Sequence, residues 1–343
     1  MKQSIYPHEY YMQRCIDLAK KGLGYTYPNP LVGSIIVHDG EIIGEGWHKK
    51  AGEAHAEVNA IMNVKDKTLL ASSTLYVNLE PCNHHGKTPP CSQLIVKHNI
   101  PKVVIGCVDP FEQVKGTGIS TLRNAGIEVV EGVLENEAKT LNKRFFCYHQ
   151  NKRPYIILKW AQSRDGFLAP PPHKRKKQAP IFLSTKEEQI KVHQWRTEEQ
   201  SIAVGAQTVF DDNPSLTARW VSGKHPIRLV FDPNQRLKKH FKIFDDQAMT
   251  LHLTAELLEL SPRPSAKVYL NAVADYLYQK NIQSIIVEGG RKTLTHFIEN
   301  NFWDEARVFI SKNNLSEGIK APAMKNLDVR GNGLVIIQQQ KFS

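Results

Sequence analysis

The strongest constraint on the fold is an alternation of short apolar, strand-like runs with helix-like segments. Near the start of the chain, the apolar run 31–37 is followed by Asp39-Gly40 and a second strand-like run, 41–47, which is the pattern of a β-hairpin. Further segments alternate, with strands at 74–78, 102–107 and 127–133 and helices at 7–21, 53–64, 92–98, 118–125 and 136–146. This alternation predicts an α/β domain with a mixed or mostly parallel sheet.

A polar stretch near the middle divides the chain. Residues 148–154 are polar and end in a proline, which is typical of a linker. A second α/β pattern follows, with short β runs at 155–160, 201–204, 227–231 and 284–287. We therefore expect domains at 1–148 and 154–343, joined by a linker at about 149–153.

Two helix starts are visible in the second half. Ser184, with Glu187 three residues later, resembles a capping box and predicts a helix through Arg196. Gly289-Gly290 follows the last β run and leads into a helix to about residue 299.

The cysteines constrain the compartment and the chemistry. All five, namely Cys15, Cys82, Cys91, Cys107 and Cys147, precede residue 148. The N-terminal segment lacks the apolar core of a secretory signal, and no apolar run approaches the roughly 18 residues of a transmembrane helix. We therefore expect a cytoplasmic protein with no membrane partner, whose odd number of cysteines indicates metal binding or buried thiols rather than disulfides.

Positive charge is concentrated in the second half. Residues 1–150 carry 16 Lys and Arg against 15 Asp and Glu, whereas residues 151–343 carry 29 against 19, out of a total net charge of +11. A basic half suits nucleic acid or a small phosphorylated ligand, but a lysine-rich surface has the same composition.

Two motifs in the first half offer ligands for one metal ion. His55 lies in Ala-His-Ala-Glu at a predicted helix start. Cys82 and Cys91 lie at the two ends of the loop that follows a predicted strand. Imidazole and thiolate are ligands that zinc prefers, and three of them leave a position for water, as in a catalytic site. His84 and His85 are rival ligands, but a fourth protein ligand would close the site.

Glu57 supplies the remaining chemistry of such a site. Bound zinc lowers the pKa of its water to about 7, and the resulting hydroxide needs a partner that takes its proton and passes it to the departing amine. Glu57 lies two residues after His55, the spacing found in zinc deaminases of nucleobases. Those enzymes separate their cysteines by two residues, whereas eight separate Cys82 from Cys91, which argues against a simple tRNA-adenosine or cytidine deaminase.

The first half resembles a known family. The segments PNPLVGSIIV, GEGWHKKAGEAHAE, LEPCNHHGKTPPC and VDPFEQVKGTGISTLRNAGIEV are similar to the bifunctional riboflavin-biosynthesis deaminase/reductases, known as RibD or RibG. This resemblance implies a three-layer cytidine-deaminase-like fold and deamination of 2,5-diamino-6-(5-phosphoribosylamino)pyrimidin-4(3H)-one. The residues that it implies as substrate contacts are Asn29, His48, Lys87 and Asp109. Each of these residues is also compatible with an ordinary turn or surface role.

The second half resembles the reductase of the same family. The matching segments are KWAQSRDGF, WRTEEQSIAVGAQTVFDDNPSLTAR and VEGGRKTLTHFI, and they imply a dihydrofolate-reductase-like fold that uses NADPH to reduce a ribosyl to a ribityl group. The implied substrate contacts are Arg196, Leu216, Arg219 and Glu288. The implied cofactor contacts are Trp160, Phe182, Thr208, Asp212, Gly290, Arg291, Lys292 and Thr293. Asp212 is also a candidate proton donor.

Local chemistry supports part of this assignment. The chain has no G-x-G-x-x-G, so a Rossmann fold is not indicated, but backbone N–H groups at the Gly289-Gly290 helix start can hold a phosphate. A strand–turn–helix connection that uses glycine for tight packing would have the same sequence. Arg196 and Arg219 could bind the substrate phosphate bidentately or form surface salt bridges with Glu198, Glu199 and Asp211.

The second half also departs from the family in PPPHKRKKQAPIFLS, where Pro180 and Phe182 replace an expected serine and tryptophan, and again after Ser311.

The leading interpretation is a two-step enzyme of flavin synthesis acting on a small phosphorylated pyrimidine, as a dimer or tetramer. The alternatives are a deaminase with an impaired reductase domain, a nucleic-acid deaminase, and a zinc-binding module without enzymatic activity. The basic half lacks interleaved aromatic residues for base stacking, which argues against nucleic acid.

Overall fold

The computed structural model describes residues 6–83, 89–112, 115–175, 181–325, 327 and 331–339. The chain divides into two compact units, residues 1–151 and 152–343. Throughout the described part of the chain, every helix is too short or too polar to cross a membrane.

The first unit contains five strands and six α-helices in its described residues. The helices are α1 (His8–Lys20), α2 (Ala56–Asn63), α3 (Cys91–Lys97), α4 (Thr117–Asn124), α5 (Glu135–Leu141) and α6 (Lys143–Asn151). The strands are β1 (Gly33–His38), β2 (Glu41–Trp47), β3 (Thr74–Leu79), β4 (Lys102–Cys107) and β5 (Glu128–Val130). Their order in the sheet is β2-β1-β3-β4-β5, with β1 antiparallel to β2 and β3 and with β3, β4 and β5 parallel.

Alternating side chains of this sheet bury its two faces against different helices. Ile35 and Val37 pack with α1, whereas Ile36, between them, packs with α2. Successive side chains of a strand point to opposite faces, so a sheet whose strands are apolar on both sides must be covered on both. The result is a three-layer α/β/α unit.

The predicted hairpin and one predicted helix show how local sequence acts here. Asp39 and Gly40 both have positive φ, 47° and 87°, as the tight β1–β2 turn requires. The single helix expected over 136–146 is two helices, because Asn142 leaves the helical conformation between them. Its buried amide bonds both the N–H and the carbonyl of Leu31, at 2.8 and 2.9 Å.

The linker expected at about 149–153 differs from the structure. Residues 149–151 form the last turn of α6, since the buried residues of that helix, from Phe145 to Tyr148, hold it in place while its polar end continues. Polarity followed by Pro154 indicated a break a few residues too early.

The second unit is built on a larger sheet. Its strands are β6 (Tyr155–Gln162), β7 (Phe167–Ala169), β8 (Ser201–Gly205), β9 (Ile227–Phe231), β10 (Thr250–Leu253), β11 (Ser284–Val287), β12 (Glu305–Ile310), β13 (Ile319–Lys320) and β14 (Gly333–Gln338). Its α-helices are α7 (Lys186–Glu198), α8 (Ala206–Asp212), α9 (Ala266–Gln279) and α10 (Arg291–Glu299). The strand order is β10-β9-β8-β11-β6-β12-β14, parallel except for β14, and β7 pairs with β13.

Helices cover both faces of this sheet too. On one face, Leu270 of α9 and Phe297 of α10 pack against Leu158 of β6. On the other, Trp195 of α7 stacks on Phe309 of β12, with ring centroids 5.6 Å apart. The carboxyl ends of β8 and β11 then lead directly into the candidate site residues.

The capping box of α7 is shifted by one residue from the prediction. Thr185 Oγ accepts from the backbone N–H of Glu188, and the Glu188 carboxylate accepts from the backbone N–H of Thr185. Ser184 and Glu187 have the same spacing, so local sequence did not distinguish the two registers.

Candidate active site

The three predicted metal ligands converge in the first unit. His55 directly precedes α2, Cys82 lies beyond the end of β3, and Cys91 is the first residue of α3. His55 Nδ1 is 3.5 Å from Cys82 Sγ and 3.4 Å from Cys91 Sγ, and all three ligand atoms lie within 4.8 Å of one another. Zn–N and Zn–S bonds of about 2.1 and 2.3 Å in a tetrahedron put such atoms about 3.5 Å apart, so the donor set fits zinc.

One thiol of the pair, that of Cys82, favours the form that binds a metal, whereas the hydrogen bond with Cys82 and burial raise the pKa of the Cys91 thiol. A hydrogen bond with Cys91, and a second with His55, lower the pKa of the Cys82 thiol to about 4. Thiolate is the form of cysteine that binds zinc.

Glu57 is buried beside this cluster, with 3% of its surface exposed. Burial, and next the charge of Cys82, raise the pKa of its carboxyl to about 7. A carboxyl in this range can take and give a proton near neutral pH, which is what deamination requires.

Two of the predicted substrate contacts form a chain that leads to the metal ligands. Asn29 Nδ2 lies 3.0 Å from His48 Nε2, and His48 Nδ1 lies 3.1 Å from the carbonyl oxygen of Ala54, beside His55. Since a carbonyl only accepts, His48 carries its proton on Nδ1, and Asn29 donates to Nε2. Burial lowers the pKa of His48, in keeping with a neutral ring. Asn29 Oδ1 can then accept from a ligand.

Asp109 is buried near the same cluster. Its carboxylate accepts a hydrogen bond from the backbone N–H of Phe111 at 2.8 Å. Burial raises the pKa of Asp109 to about 6, and the charges of Glu80 and Cys82 contribute. The predicted contact Lys87 and the rival ligands His84 and His85 lie outside the described residues.

Sequence reasoning did not identify Glu80, which is 4% exposed. Its carboxylate accepts from four backbone N–H groups of the segment that carries Asp109 and begins α4, namely those of Asp109, Gly116, Gly118 and Ile119. A charged residue at the end of an apolar run, directly before Pro81-Cys82, was the available signal.

In the second unit, Arg196 and Glu288 form an ion pair whose side chains are only 11% and 13% exposed. Arg196 Nη2 and Nε lie 2.9 and 3.4 Å from the two Glu288 carboxylate oxygens. Burial opposes the charge on Glu288, but Arg196 and then Lys159 of β6 outweigh it and lower its pKa to about 2. Arg196 therefore pairs with Glu288 and not with Glu198, Glu199 or Asp211, the partners that the sequence also allowed.

The other predicted reductase substrate contacts lie beside this pair. Arg196 Nη1 donates to the carbonyl oxygen of Thr217 at 3.2 Å. Leu216 is buried and has a positive φ of 52°, whereas Arg219 is exposed. The structure thus brings Arg196, Glu288 and the segment 216–219 together.

Several of the predicted cofactor contacts meet at the start of α10. The N–H of Gly290 donates to Thr208 Oγ1 at 3.1 Å, and Arg291 and Lys292 are exposed. A Cβ on Gly289 would lie 2.8 Å from Thr293 Cβ, so this glycine permits the close approach of helix and strand.

Three further predicted residues differ in exposure. Asp212 is partly buried at the end of α8, and burial, with the charge of Asp211, raises its pKa to about 6. Phe182 is 63% exposed. Trp160 lies in the hydrophobic core with 3% exposure and donates to Gln162 Oε1 at 2.8 Å, which leaves almost none of its ring for a cofactor.

Comparisons with known proteins agree with this arrangement. Residues 5–107 match the family model of the cytidine and deoxycytidylate deaminase zinc-binding region, and residues 154–312 match that of the RibD C-terminal domain. The riboflavin biosynthesis protein RibD of Aquifex aeolicus is 40% identical over 320 residues, which cover 90% of this chain and 88% of that protein.

Solved structures extend the likeness to three dimensions. The diaminohydroxyphosphoribosylaminopyrimidine deaminase/5-amino-6-(5-phosphoribosylamino)uracil reductase of Thermotoga maritima is 36% identical, with a TM-score of 0.83 over 96% of this chain and 98% of that one. RibD of Acinetobacter baumannii is 32% identical, with a TM-score of 0.79 over 93% and 90%.

These matches confirm the predicted cytidine-deaminase-like and dihydrofolate-reductase-like folds and the two cofactors, zinc and NADPH. The chain belongs to the RibD family of riboflavin biosynthesis, whose members join a zinc-dependent deaminase to an NADPH-dependent reductase.

Proposed function

We propose that the first unit deaminates 2,5-diamino-6-(5-phosphoribosylamino)pyrimidin-4(3H)-one at the site of His55, Cys82 and Cys91. The observation that carries this proposal is a buried carboxyl, Glu57, beside three zinc ligands at tetrahedral spacing. Zinc bound there supplies an acidified water for the attack on the carbon that bears the amino group.

The protein's own part in this reaction is proton transfer and orientation. A Glu57 carboxylate oxygen takes a proton from the attacking water and returns it to the departing nitrogen, which leaves as ammonia. Asn29, held by His48, orients the pyrimidine through Oδ1. Asp109 and Lys87 complete the contacts, with Lys87 suited to a phosphate.

We propose for the second unit the NADPH-dependent reduction of 5-amino-6-(5-phosphoribosylamino)uracil to its ribityl product. NADPH, when bound, supplies the hydride. Arg196 and Arg219 hold the substrate phosphate, Glu288 orients Arg196, and Leu216 packs against the substrate. The carboxyl of Asp212 is the proposed proton donor.

The proposed cofactor contacts surround the start of α10. Gly290, Arg291, Lys292 and Thr293 are suited to phosphate groups, because backbone N–H groups and cations meet there. Thr208 accepts from the Gly290 N–H at 3.1 Å, and Asp212 is the last residue of the same helix, α8. Phe182 completes the set as a proposal that rests on the family resemblance alone, whereas the ring of Trp160, expected from the same resemblance, is buried in the core.

A coupled assay tests both halves of the proposal. The full chain with zinc, NADPH and the diaminopyrimidine should release ammonia and then consume NADPH, with both products detected by mass spectrometry. The deaminated product can also be supplied directly. If the chain then consumes no NADPH, the second candidate is favoured, a deaminase with an impaired reductase. The observation behind that candidate is the divergent segment before the exposed Phe182.

We also propose a cytoplasmic dimer or tetramer. The buried thiols of Cys15 and Cys107 fit a reducing compartment. Light scattering of the purified chain measures the assembly.

A further inference from the structure

His193 is a buried polar residue that the proposed mechanism does not use. It lies on α7, three residues before Arg196, and is 5% exposed. Residues three apart on a helix share a face, so α7 presents both side chains toward the same part of the unit.

The ring of His193 holds the backbone of Arg219. Its Nδ1 accepts a hydrogen bond from the Arg219 N–H at 2.9 Å, and the ring stacks on Trp220 with centroids 4.6 Å apart. An N–H group only donates, so Nδ1 must carry no proton. Burial, and next the charges of Arg196 and Arg219, lower the pKa of His193 to about 4, which keeps the ring neutral under physiological conditions.

Both α7 side chains act on one short segment. Arg196 donates to the carbonyl oxygen of Thr217, and His193 accepts from Arg219 two residues later. The segment begins at Leu216, whose positive φ is unfavourable for a side chain with a Cβ and persists only where neighbours enforce it. The direction in which Arg219 leaves the backbone therefore depends on these two bonds, together with the one that the Ala218 N–H donates to His225 Nδ1 at 3.3 Å.

We propose that His193 is a positioning residue of the reductase, whose Nδ1 fixes the backbone of Arg219 so that the guanidinium of Arg219 meets the phosphate of the substrate. This inference rests on the proposed role of Arg219. The reaction needs no chemistry from His193 itself.

Variants of the full chain separate positioning from mere packing. In His193→Asn the amide oxygen can take the place of Nδ1, whereas His193→Leu removes the acceptor and His193→Gln moves it outward along the side chain. We expect His193→Leu and His193→Gln to raise the reductase KM about tenfold, the worth of one hydrogen bond, with kcat nearly unchanged. His193→Asn should restore most of the loss.

Inorganic phosphate is the probe for the anion contact. As a competitive inhibitor it should bind His193→Leu about tenfold more weakly, and the dephosphorylated substrate should show no difference between wild type and variant. The unchanged reductase kcat is the control for folding of the second unit, and deaminase activity of the same chain is the control for the first.

The inference would be overturned if His193→Asn were impaired as much as His193→Leu, or if the KM loss were equal on the dephosphorylated substrate. Arg219→Ala separates this failure from that of the proposed function. If Arg219→Ala leaves phosphate inhibition unchanged, the role of Arg219 is wrong. If it abolishes inhibition while His193→Leu leaves inhibition unchanged, only the positioning role is wrong.

Discussion

The Glu80 carboxylate accepts a hydrogen bond from the backbone N–H of Gly118 at 3.0 Å, and so joins the strand that leads to Cys82 with the first turn of α4. A Cβ on Gly118 would lie 2.0 Å from the carbonyl oxygen of Pro81, so only glycine allows this approach. The backbone N–H of Asp109 also donates a hydrogen bond to the Glu80 carboxylate, at 3.2 Å. The spacing between a zinc ligand and a proposed substrate contact is thus set by one buried anion.

Replacing Glu80 with glutamine should therefore affect both stability and deamination. The amide can accept with one oxygen only and turns its own N–H groups toward backbone donors. We expect a loss of about 3 kcal/mol in the free energy of unfolding, and weaker deaminase activity at unchanged reductase activity. Urea unfolding and the two separate assays measure these effects.

Glu128→Gln is the matched control, since Glu128 is exposed and pairs with Lys102 at 2.8 Å on the surface. Its cost should stay below about 1 kcal/mol. If both variants lost the same free energy of unfolding, the four backbone hydrogen bonds to Glu80 would stabilise the unit no more than a surface ion pair does.

Much of the first unit was predictable because its strands are apolar and bounded by turn residues. The ranges of β2 and β4 agree with their predicted limits. Strand β4 is buried on both faces and so forms an uninterrupted apolar run after Lys102, whereas the start of the edge strand β2 is marked by the Asp39-Gly40 turn. Glu80 was missed because its partners are backbone groups some 30 to 40 residues away, which no local pattern encodes.

The second unit was harder to predict because it buries charge. Strand β12 contains Glu305 and Arg307, which are buried and pair with each other at 2.6 Å, so the segment does not resemble a core strand in sequence. The partner of Arg196 also lies 92 residues away, at Glu288. Motif order located the site, but only the fold shows which charges meet.

The role of Glu57 predicts a separation of metal binding from activity. Glu57→Gln should keep zinc at one ion per chain, because His55, Cys82 and Cys91 are intact, and should lose deaminase kcat by about 10²-fold or more. Zinc is measured by atomic absorption. Glu53→Gln, an exposed change on the same segment, should be silent. A Glu57→Gln variant that retains activity would assign proton transfer to another group.

Glu288 predicts a dependence of stability on pH. Its folded pKa of about 2 lies below the ordinary value of 4.5, so its stabilising contribution is present above pH 4.5 and is lost as pH falls toward 2. The contribution is on the order of 3 kcal/mol at most. Glu288→Gln should remove it, leave the Arg196 charge uncompensated, and flatten the stability profile between pH 4.5 and 2. The exposed change Glu299→Gln should leave that profile intact.

Gly205 predicts a clash that a second substitution relieves. A Cβ at Gly205 would lie 2.4 Å from Thr293 Oγ1 but 3.7 Å from Thr293 Cβ, so the end of β8 and the first turn of α10 approach across one hydroxyl. Gly205→Ala should destabilise the second unit by about 1–3 kcal/mol, as overpacking does. Thr293→Ala removes the obstructing atom, and the double variant should regain most of that stability, with a favourable coupling in a double-mutant cycle of urea unfolding. Additive losses would mean that the approach is limited by backbone rather than by the hydroxyl.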